Sequence, residues 1–207
     1  MSAIFNNASS VTQSHKLSVM TNTTVSGKRV SQRRGPYLYS FDVTVNPLST
    51  SSTAYNDIRK EISSMDYGVS ALNTTIPYLT KDNGSWVGST NKGVRDAGVT
   101  GRTIVLKNFT ASATDVIKDG DFIQFDGNTK VYQAIGDASA DISGEVSVYL
   151  NTPLVESPGQ NSVVTHGTAV TFSLVIEEPE FATGFSPRTI NDNIASASQF
   201  KFVEVIL

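Results

Sequence analysis

Short apolar segments follow one another between residues 100 and 177, and turns rich in Gly and Asp separate them. Residues 122–125 and 130–135 flank the turn Asp126-Gly127-Asn128, and residues 145–150 follow a second turn at 141–144. Strands that recur about every ten residues between such turns are typical of an all-β unit. We therefore predict a small antiparallel β-barrel or β-sandwich over residues 100–177.

The rest of the chain predicts a second sheet that carries one helix. Residues 37–45 alternate aromatic or β-branched side chains with polar ones, as a half-buried strand does. Residues 53–66 place Ile58, Ile62 and Met65 on one helical stripe. Residues 200–205 alternate again, and we expect this segment to return to the sheet that holds residues 37–45.

The predicted fold is therefore mainly β, an antiparallel β-sandwich or barrel with one α-helix at about residues 53–66 and an extended N-terminal arm. The arm covers residues 1–35. A base of strand, helix and strand covers residues 36–99 together with 178–207, which include the C-terminal strand. The unit at residues 100–177 is predicted as an insertion between the two parts of this base.

The first 41 residues carry five basic side chains and no acidic one, since the first carboxylate is Asp42. Such a segment is either a solvated, partly disordered arm or an arm that orders against an acidic neighbouring subunit. Nucleic-acid binding is a third option, which is weaker because no aromatic residues alternate with the five charges. The second interpretation makes its basic residues assembly contacts, together with apolar residues near the C-terminus. The predicted assembly contacts are Lys28, Arg29, Arg33, Arg34, Phe200, Phe202 and Leu207.

Composition excludes several classes of protein. The chain has no cysteine, so disulfides, thiol nucleophiles and cysteine-based metal sites are ruled out. Its net charge of −3 gives no large cationic surface for nucleic acid. We find neither a signal peptide nor an apolar stretch of about 20 residues that could span a membrane. We therefore expect a protein made in a cytoplasm, without nucleic-acid or membrane binding.

The sequence offers few groups for catalysis. Its histidines are His15, in the predicted arm, and His166, in a Thr-His-Gly turn, and nothing local supports either of them as a catalytic base. Trp86 has two interpretations, a platform for a sugar or a loop anchor that packs on its own domain, and the second is favoured. We expect no enzyme activity and no cofactor.

Seven carboxylates cluster within two short stretches of the middle unit. They could hold Ca²⁺, or act as an acid and base pair for glycoside cleavage. Most of them adjoin Gly, where Asp stabilises turns through hydrogen bonds to nearby backbone, and we favour that interpretation over a metal site. The residues are Asp115, Asp119, Asp121, Asp126, Asp137, Asp141 and Glu145.

The order of these strands and turns resembles a family of tail proteins of tailed bacteriophages, of the distal-tail or tube-associated type. The resemblance rests on Gly120-Asp121-Phe122-Ile123-Gln124, Lys130-Val131-Tyr132, the spacing of Asp137, Asp141 and Gly144, and the strand end at Pro153-Leu154. It covers roughly residues 29–176 and includes no catalytic motif. The N-terminal segment and residues 177–207 lie outside it.

The resemblance implies a structural subunit of a phage tail, in a baseplate or in a tail-tip ring or collar around the tail tube. Its partners would be copies of itself in a ring and other tail proteins of the tube, baseplate or hub. Its location would be the virion. The alternatives are a carbohydrate-binding β-module of a receptor-binding tail component, which Trp86, Tyr78 and the Asp-rich turns suggest, and a wall-degrading hydrolase.

Overall fold

The computed structural model describes residues 2–16, 19–23, 29–33, 35–66, 70–177, 194–195 and 198–206, and for residues 19–23 and 29–33 it describes the backbone alone. These residues form a mainly β structure with antiparallel sheets and two helices. The elements in chain order are α1 (Ala3–Asn6), β1 (Ala8–Lys16), β2 (Val19–Thr23), β3 (Arg29–Arg33), β4 (Leu38–Val45), β5 (Leu48–Ser49), α2 (Thr53–Ser64), β6 (Leu72–Thr75), β7 (Gly88–Val94), β8 (Thr103–Phe109), β9 (Phe122–Phe125), β10 (Val131–Gln133), β11 (Val146–Tyr149), β12 (Val164–His166), β13 (Thr171–Ile176), β14 (Ile194–Ala195) and β15 (Ser198–Glu204).

The chain divides into two compact units. Unit 1 contains residues 1–72 and 174–205, and unit 2 contains residues 73–173 with 206–207. Unit 2 thus begins well before residue 100, where the sequence placed its start. The reason is β7, which pairs with β8. The sequence gives little sign of this strand, because its Gly and polar residues hide the alternation of a strand.

The sheet of unit 1 has the order β1-β4-β15-β13, and β6 follows β13 where the chain passes into unit 2. In β4 the alternating residues Tyr39, Phe41, Val43 and Val45 are buried. β15 pairs with β4 in antiparallel register, and Phe202 lies opposite Phe41. The return of the C-terminal strand to this sheet is therefore confirmed.

The described part of the predicted N-terminal arm belongs to this unit. Ser2 caps α1 through its side chain, and Ile4 and Phe5 are buried. The Phe5 ring lies 5.3 Å from the Phe202 ring, and β1 then pairs along β4. The prediction of a separate arm is therefore wrong for residues 2–16. The polar composition of this segment predicts disorder, but the buried side chains of Ile4 and Phe5 and the backbone hydrogen bonds between β1 and β4 hold it in place.

The predicted helix is present as α2, over Thr53–Ser64, and Ser52 accepts a hydrogen bond from the Tyr55 N–H at its start. Ile58 and Ile62 are buried on the expected stripe. Glu61, on the same helix, accepts hydrogen bonds at 2.8 Å from the Ser2 hydroxyl and from the Ile4 N–H. The carboxylate therefore joins α1 to α2.

Unit 2 contains two three-stranded sheets, β10-β9-β12 and β11-β8-β7. Single bridges join them, Gly93 with Val163 at one seam and Ala134 with Leu150 at the other. Because the ladders do not continue through these seams, the unit is sandwich-like and is not a closed barrel. Apolar side chains from both sheets, among them Leu106, Phe125 and Tyr132, fill its interior.

Candidate functional site

The predicted aromatic assembly contacts lie in the interior of unit 1. Phe200 is 1% exposed and Phe202 is 0% exposed, and the two rings lie 6.3 Å apart in its core. These side chains stabilise the fold of unit 1 and offer no surface to a neighbour. Their assignment as contacts is therefore wrong, because the same alternation that makes a strand amphipathic also directs its apolar face into the core.

The predicted basic contacts fall on or beside a β-hairpin. Arg29 and Arg33 are the first and last residues of β3, which pairs with β2 in antiparallel register. Lys28, Arg34 and Leu207 lie outside the described residues. The prediction of a basic contact surface therefore stays open at Arg29 and Arg33.

β1 forms an edge of the unit 1 sheet. It is nine residues long, and within the described part of the chain β4 is its paired strand. Most of its side chains are exposed, including Thr12, Ser14 and Lys16, and the strand contains no proline. An edge strand presents a row of backbone donors and acceptors with which another strand can pair.

Ionic contacts connect the end of this edge to the neighbouring strands. The Lys16 amine contacts the Glu177 carboxylate, and the Lys201 amine lies 3.2 Å from the same carboxylate. The hydrogen bond from Lys16, reinforced by Lys201, lowers the pKa of Glu177. Glu177 also donates its backbone N–H to the Lys201 carbonyl, so the end of β1 is tied to β15 through Glu177.

The Asp121 carboxylate organises a loop at one end of unit 2. It is fully buried and accepts hydrogen bonds from the N–H groups of Asn83, Gly84 and Lys118 and from the indole of Trp86, at 2.7–3.1 Å. All four partners are N–H donors, and a carboxylate has only acceptor atoms to offer them. Asp121 therefore holds a turn, as its sequence neighbours predict, and each of its two oxygens accepts at least one hydrogen bond.

Other acidic residues also stabilise turns. One oxygen of Asp141 accepts the N–H groups of Ser143 and Glu145, both at 2.8 Å. A hydrogen bond from the Asp119 N–H is the main cause of the lowered pKa of Asp137. Among the residues that the structure describes, no three His, Asp or Glu side chains lie together as a metal site would require. Asp121, Asp137 and Asp141 therefore accept backbone N–H groups in turns.

His166 has a partner that sequence reasoning missed. Its Nδ1 lies 2.7 Å from Oδ2 of Asp82, and no local pattern signals this pair because 84 residues separate the two positions. The cation Lys92 is also near. Burial lowers the pKa of Lys92, and its electrostatic interaction with Asp82 partly offsets this decrease. Within the described residues the His166 ring has no hydrogen bond to a hydroxyl nucleophile. The pair therefore lacks one member of a catalytic triad.

Trp86 lies between His166 and the apolar core of unit 2. The indole and imidazole rings are stacked with centroids 4.0 Å apart and an interplanar angle of 2°. Phe109 packs 5.8 Å away, and Trp86 is only 6% exposed. The ring is therefore a loop anchor, and its face is covered by His166 where a sugar would have to stack. Tyr78 is 58% exposed and its ring remains accessible.

Comparison of the sequence with protein-family models and with curated proteins found no match. In the part of the chain that the structure describes, no helix is both long and apolar enough to cross a bilayer. The resemblance to phage tail proteins is therefore a prediction that rests on the sequence pattern.

Proposed function

We propose that this chain is a structural subunit of a bacteriophage tail, in a baseplate or in a tail-tip ring or collar around the tail tube. It acts by assembly with copies of itself and with other proteins of the tube, baseplate or hub. The order of strands and turns over residues 29–176 supports this proposal, and the edge that β1 forms among the described strands supplies the physical means.

The edge of β1 is the observation on which the proposal rests. Long apolar edges aggregate, whereas natural edge strands avoid uncontrolled pairing with charges, prolines or bulges. β1 is polar and carries Ser, Thr and Gln, so it remains compatible with water before assembly. It has no proline, its only acidic or basic residue other than His15 is Lys16, and its register irregularity lies at its start, between Ala8 and Ser10, so a specific partner strand can still pair with the rest of it. This combination favours controlled strand addition.

The proposal is tested first on intact particles. The protein should be present in purified tails, and a density map should place it in a ring or collar with β1 beside a neighbouring subunit. Its absence from purified particles would refute the proposed function.

A pair of proline variants tests the role of the edge. Along an antiparallel strand, successive residues direct their N–H groups alternately toward one neighbour and the other. Of Thr12→Pro and Gln13→Pro, one therefore removes a donor that faces β4 and the other removes a donor at the open edge. We expect the outward variant to keep its melting temperature and to lose incorporation into tails, while the inward variant loses thermal stability. Normal incorporation of both variants would contradict strand addition at β1.

The carbohydrate-binding alternative depends on an accessible indole. Trp86 stacks on His166 and donates its Nε1 hydrogen to Asp121, so both its face and its polar edge are occupied. Tyr78 by itself gives one exposed ring, which is a small platform for a sugar. The geometry therefore favours assembly over glycan binding.

A further inference from the structure

A turn of unit 2 carries an isoleucine that lies outside the core. Ile142 is 87% exposed, in the turn that precedes β11. The backbone around it is fixed, because the Asp141 carbonyl accepts the N–H groups of Gly144 and Ser112. Oδ1 of Asp141 accepts two further N–H groups within the turn. A rigid turn loses little conformational freedom on binding, so Ile142 is well placed to anchor a partner.

The same turn also offers a negative charge. Both side-chain hydrogen bonds of Asp141 go to Oδ1, and the residue is exposed. Asp141 forms no ion pair among the residues that the structure describes. Its second oxygen, Oδ2, can therefore accept a donor from outside. The turn thus presents a bulky apolar side chain beside a carboxylate, and we call Asp141 and Ile142 the acidic tip.

A second surface of unit 2 has the opposite charge. Ala134 and Leu150 form one of the bridges between the two sheets, and both are buried. The residues next to them, Ile135 and Tyr149, therefore face outward side by side, and both are about half exposed. The guanidinium group of Arg102 lies 6.0 Å from the centre of the Tyr149 ring. We call Ile135, Tyr149 and Arg102 the basic patch.

The basic patch has the composition of a binding surface. Arg102 is half-buried and has no ion pair within the described part of the chain. An arginine that lies over an aromatic face still has its N–H groups available for a carboxylate. Tyr and Arg are also among the residues that most often dominate the binding energy of protein interfaces. The patch therefore fits a ligand in which a carboxylate adjoins a bulky apolar side chain.

We propose that the acidic tip of one copy of this chain docks on the basic patch of a second copy. Ile142 packs against Ile135 and Tyr149, and Asp141 pairs with Arg102. The two surfaces of one copy lie at opposite ends of β11, which spans about 10 Å, so they do not meet within a chain. A contact between two different surfaces can join copies head to tail, as in a ring. The inference goes beyond the proposed function, because it adds a contact in unit 2 to the edge of β1.

A lipid surface is the other occupant that an exposed isoleucine could have. Residues 141–145 contain Asp141 and Glu145 and no basic residue. Peripheral binding to anionic membranes depends on Lys and Arg near the inserted apolar residues. The charge of the turn therefore favours a protein partner that offers an arginine.

Cross-linking of the whole chain tests the contact, because the chain has no cysteine of its own. Ser143→Cys places a thiol beside the acidic tip. Thr103→Cys places one beside the basic patch, since Thr103 is exposed and pairs with Tyr149. One variant carries a longer tag, the two are mixed, and a short bis-maleimide links them. We expect the mixed dimer to form at least about fivefold faster than in a mixture of Ser143→Cys with Gln160→Cys, an exposed position at another turn of unit 2.

Further substitutions in these cysteine variants identify the side chains of the contact. Ile142→Ser should slow the linking about tenfold, because an isoleucine is no longer buried in the contact. Val163→Ser is the matched control, since it removes an exposed apolar side chain at the other seam, and it should leave the rate unchanged. Asp141→Asn keeps the acceptor oxygen of the turn and removes the charge. Asp141→Asn and Arg102→Gln should each slow the linking about threefold, and together about as much as either alone.

Two results would overturn the inference. One is linking of Ser143→Cys to Thr103→Cys no faster than to Gln160→Cys, and the other is an equal effect of Ile142→Ser and Val163→Ser. Binding to vesicles of phosphatidylcholine and phosphatidylglycerol that Ile142→Ser abolishes, without specific linking, would identify a bilayer and also overturn it. A far-ultraviolet thermal melt verifies that each variant is folded. The exposed Ile142→Ser variant provides the test if Asp141→Asn is not.

The outcomes separate this inference from the proposed function. If the protein is found in tails and the linking is not specific, the inference is overturned and the proposed function stands. If the linking is specific and the protein is absent from tails, the proposed function is overturned and the contact between copies stands.

Discussion

Replacement of Asp121 by alanine is expected to destabilise unit 2 by about 3 kcal/mol. This carboxylate is fully buried and accepts four hydrogen bonds, all from the residues that form and flank the loop of Trp86. The alanine variant leaves all four donors without their acceptor. The loop between β6 and β7 should then lose its fixed position on the end of the sandwich.

The magnitude follows from the exposure of the donors. Asn83 is exposed and Gly84 and Lys118 are half-buried, so water can replace Asp121 at their N–H groups at a cost of about 0.5–1 kcal/mol each. The Trp86 indole is buried, and an unpaired donor there costs about 1–3 kcal/mol. The alanine variant also avoids the desolvation cost of burying a carboxylate, and this offsets part of the lost stability. Asp121→Asn keeps one acceptor oxygen and should cost less than the alanine variant.

Urea unfolding followed by tryptophan fluorescence measures this effect directly. Trp86 is the single tryptophan of the chain, so the fluorescence signal reports on unit 2 at the affected loop. The transition midpoint should fall in Asp121→Ala, and the slope of free energy against urea should remain as in wild type. The emission maximum should also move to longer wavelength if water reaches the indole.

Asp126→Ala is the matched control. Asp126 is exposed, adjoins Gly127 as Asp121 adjoins Gly120, and makes no side-chain hydrogen bond within the described residues. Its replacement should change the free energy of unfolding by no more than about 0.5 kcal/mol. If Asp121→Ala costs under about 1 kcal/mol with an unchanged emission spectrum, the carboxylate does not organise the loop and the reasoning fails.

Three further predictions concern other contacts. Phe202→Ala should destabilise unit 1 by about 3–5 kcal/mol in thermal or urea unfolding, because a fully buried ring is removed. Gly167→Ala should destabilise the protein by about 2 kcal/mol, since the residue has φ +59 and a Cβ atom would lie 2.3 Å from Asp82 Oδ2; unchanged stability would contradict this clash. Lys16 and Lys201 lower the pKa of Glu177. The contribution of Glu177 to the stability of the fold is therefore fully present above pH 4.5, its ordinary pKa, and is lost as the pH falls below that value. The stability difference between wild type and Glu177→Gln should therefore shrink between pH 7 and pH 3, and should stay under about 1 kcal/mol because the contact lies near the surface.

Elements with regular apolar periodicity could be predicted from the sequence. β4, α2 and β15 each repeat their buried residues at the spacing of a strand or a helix, and the Asp-Gly turn after β9 marks a hairpin. Each of these signals lies within one segment of the chain. For β1 and β7 such a signal is absent, because Ser, Thr, Gly and Asn occupy many of their positions. Backbone hydrogen bonds to neighbouring strands and a few buried residues hold these strands in place.

The contacts of the Trp86 loop could not be predicted, because they join positions far apart in the sequence. Asp121 lies 35 residues from Trp86, and Asp82 lies 84 residues from His166. The sequence indicates only that Asp121 belongs to a turn and that Trp86 is an anchor. Which donors surround the carboxylate depends on the packing of both sheets, and a single sequence has no record of that packing.

The position of β15 has a consequence for synthesis on the ribosome. β15 lies between β4 and β13, so the unit 1 sheet remains divided until residues 198–204 have been made. Unit 2 is almost continuous in sequence, from residue 73 to residue 173, and its strands are available earlier. We expect unit 2 to resist protease on stalled nascent chains that expose residues 1–190, while residues 38–45 are cleaved until β15 emerges. Protection of residues 38–45 in such chains would contradict this order.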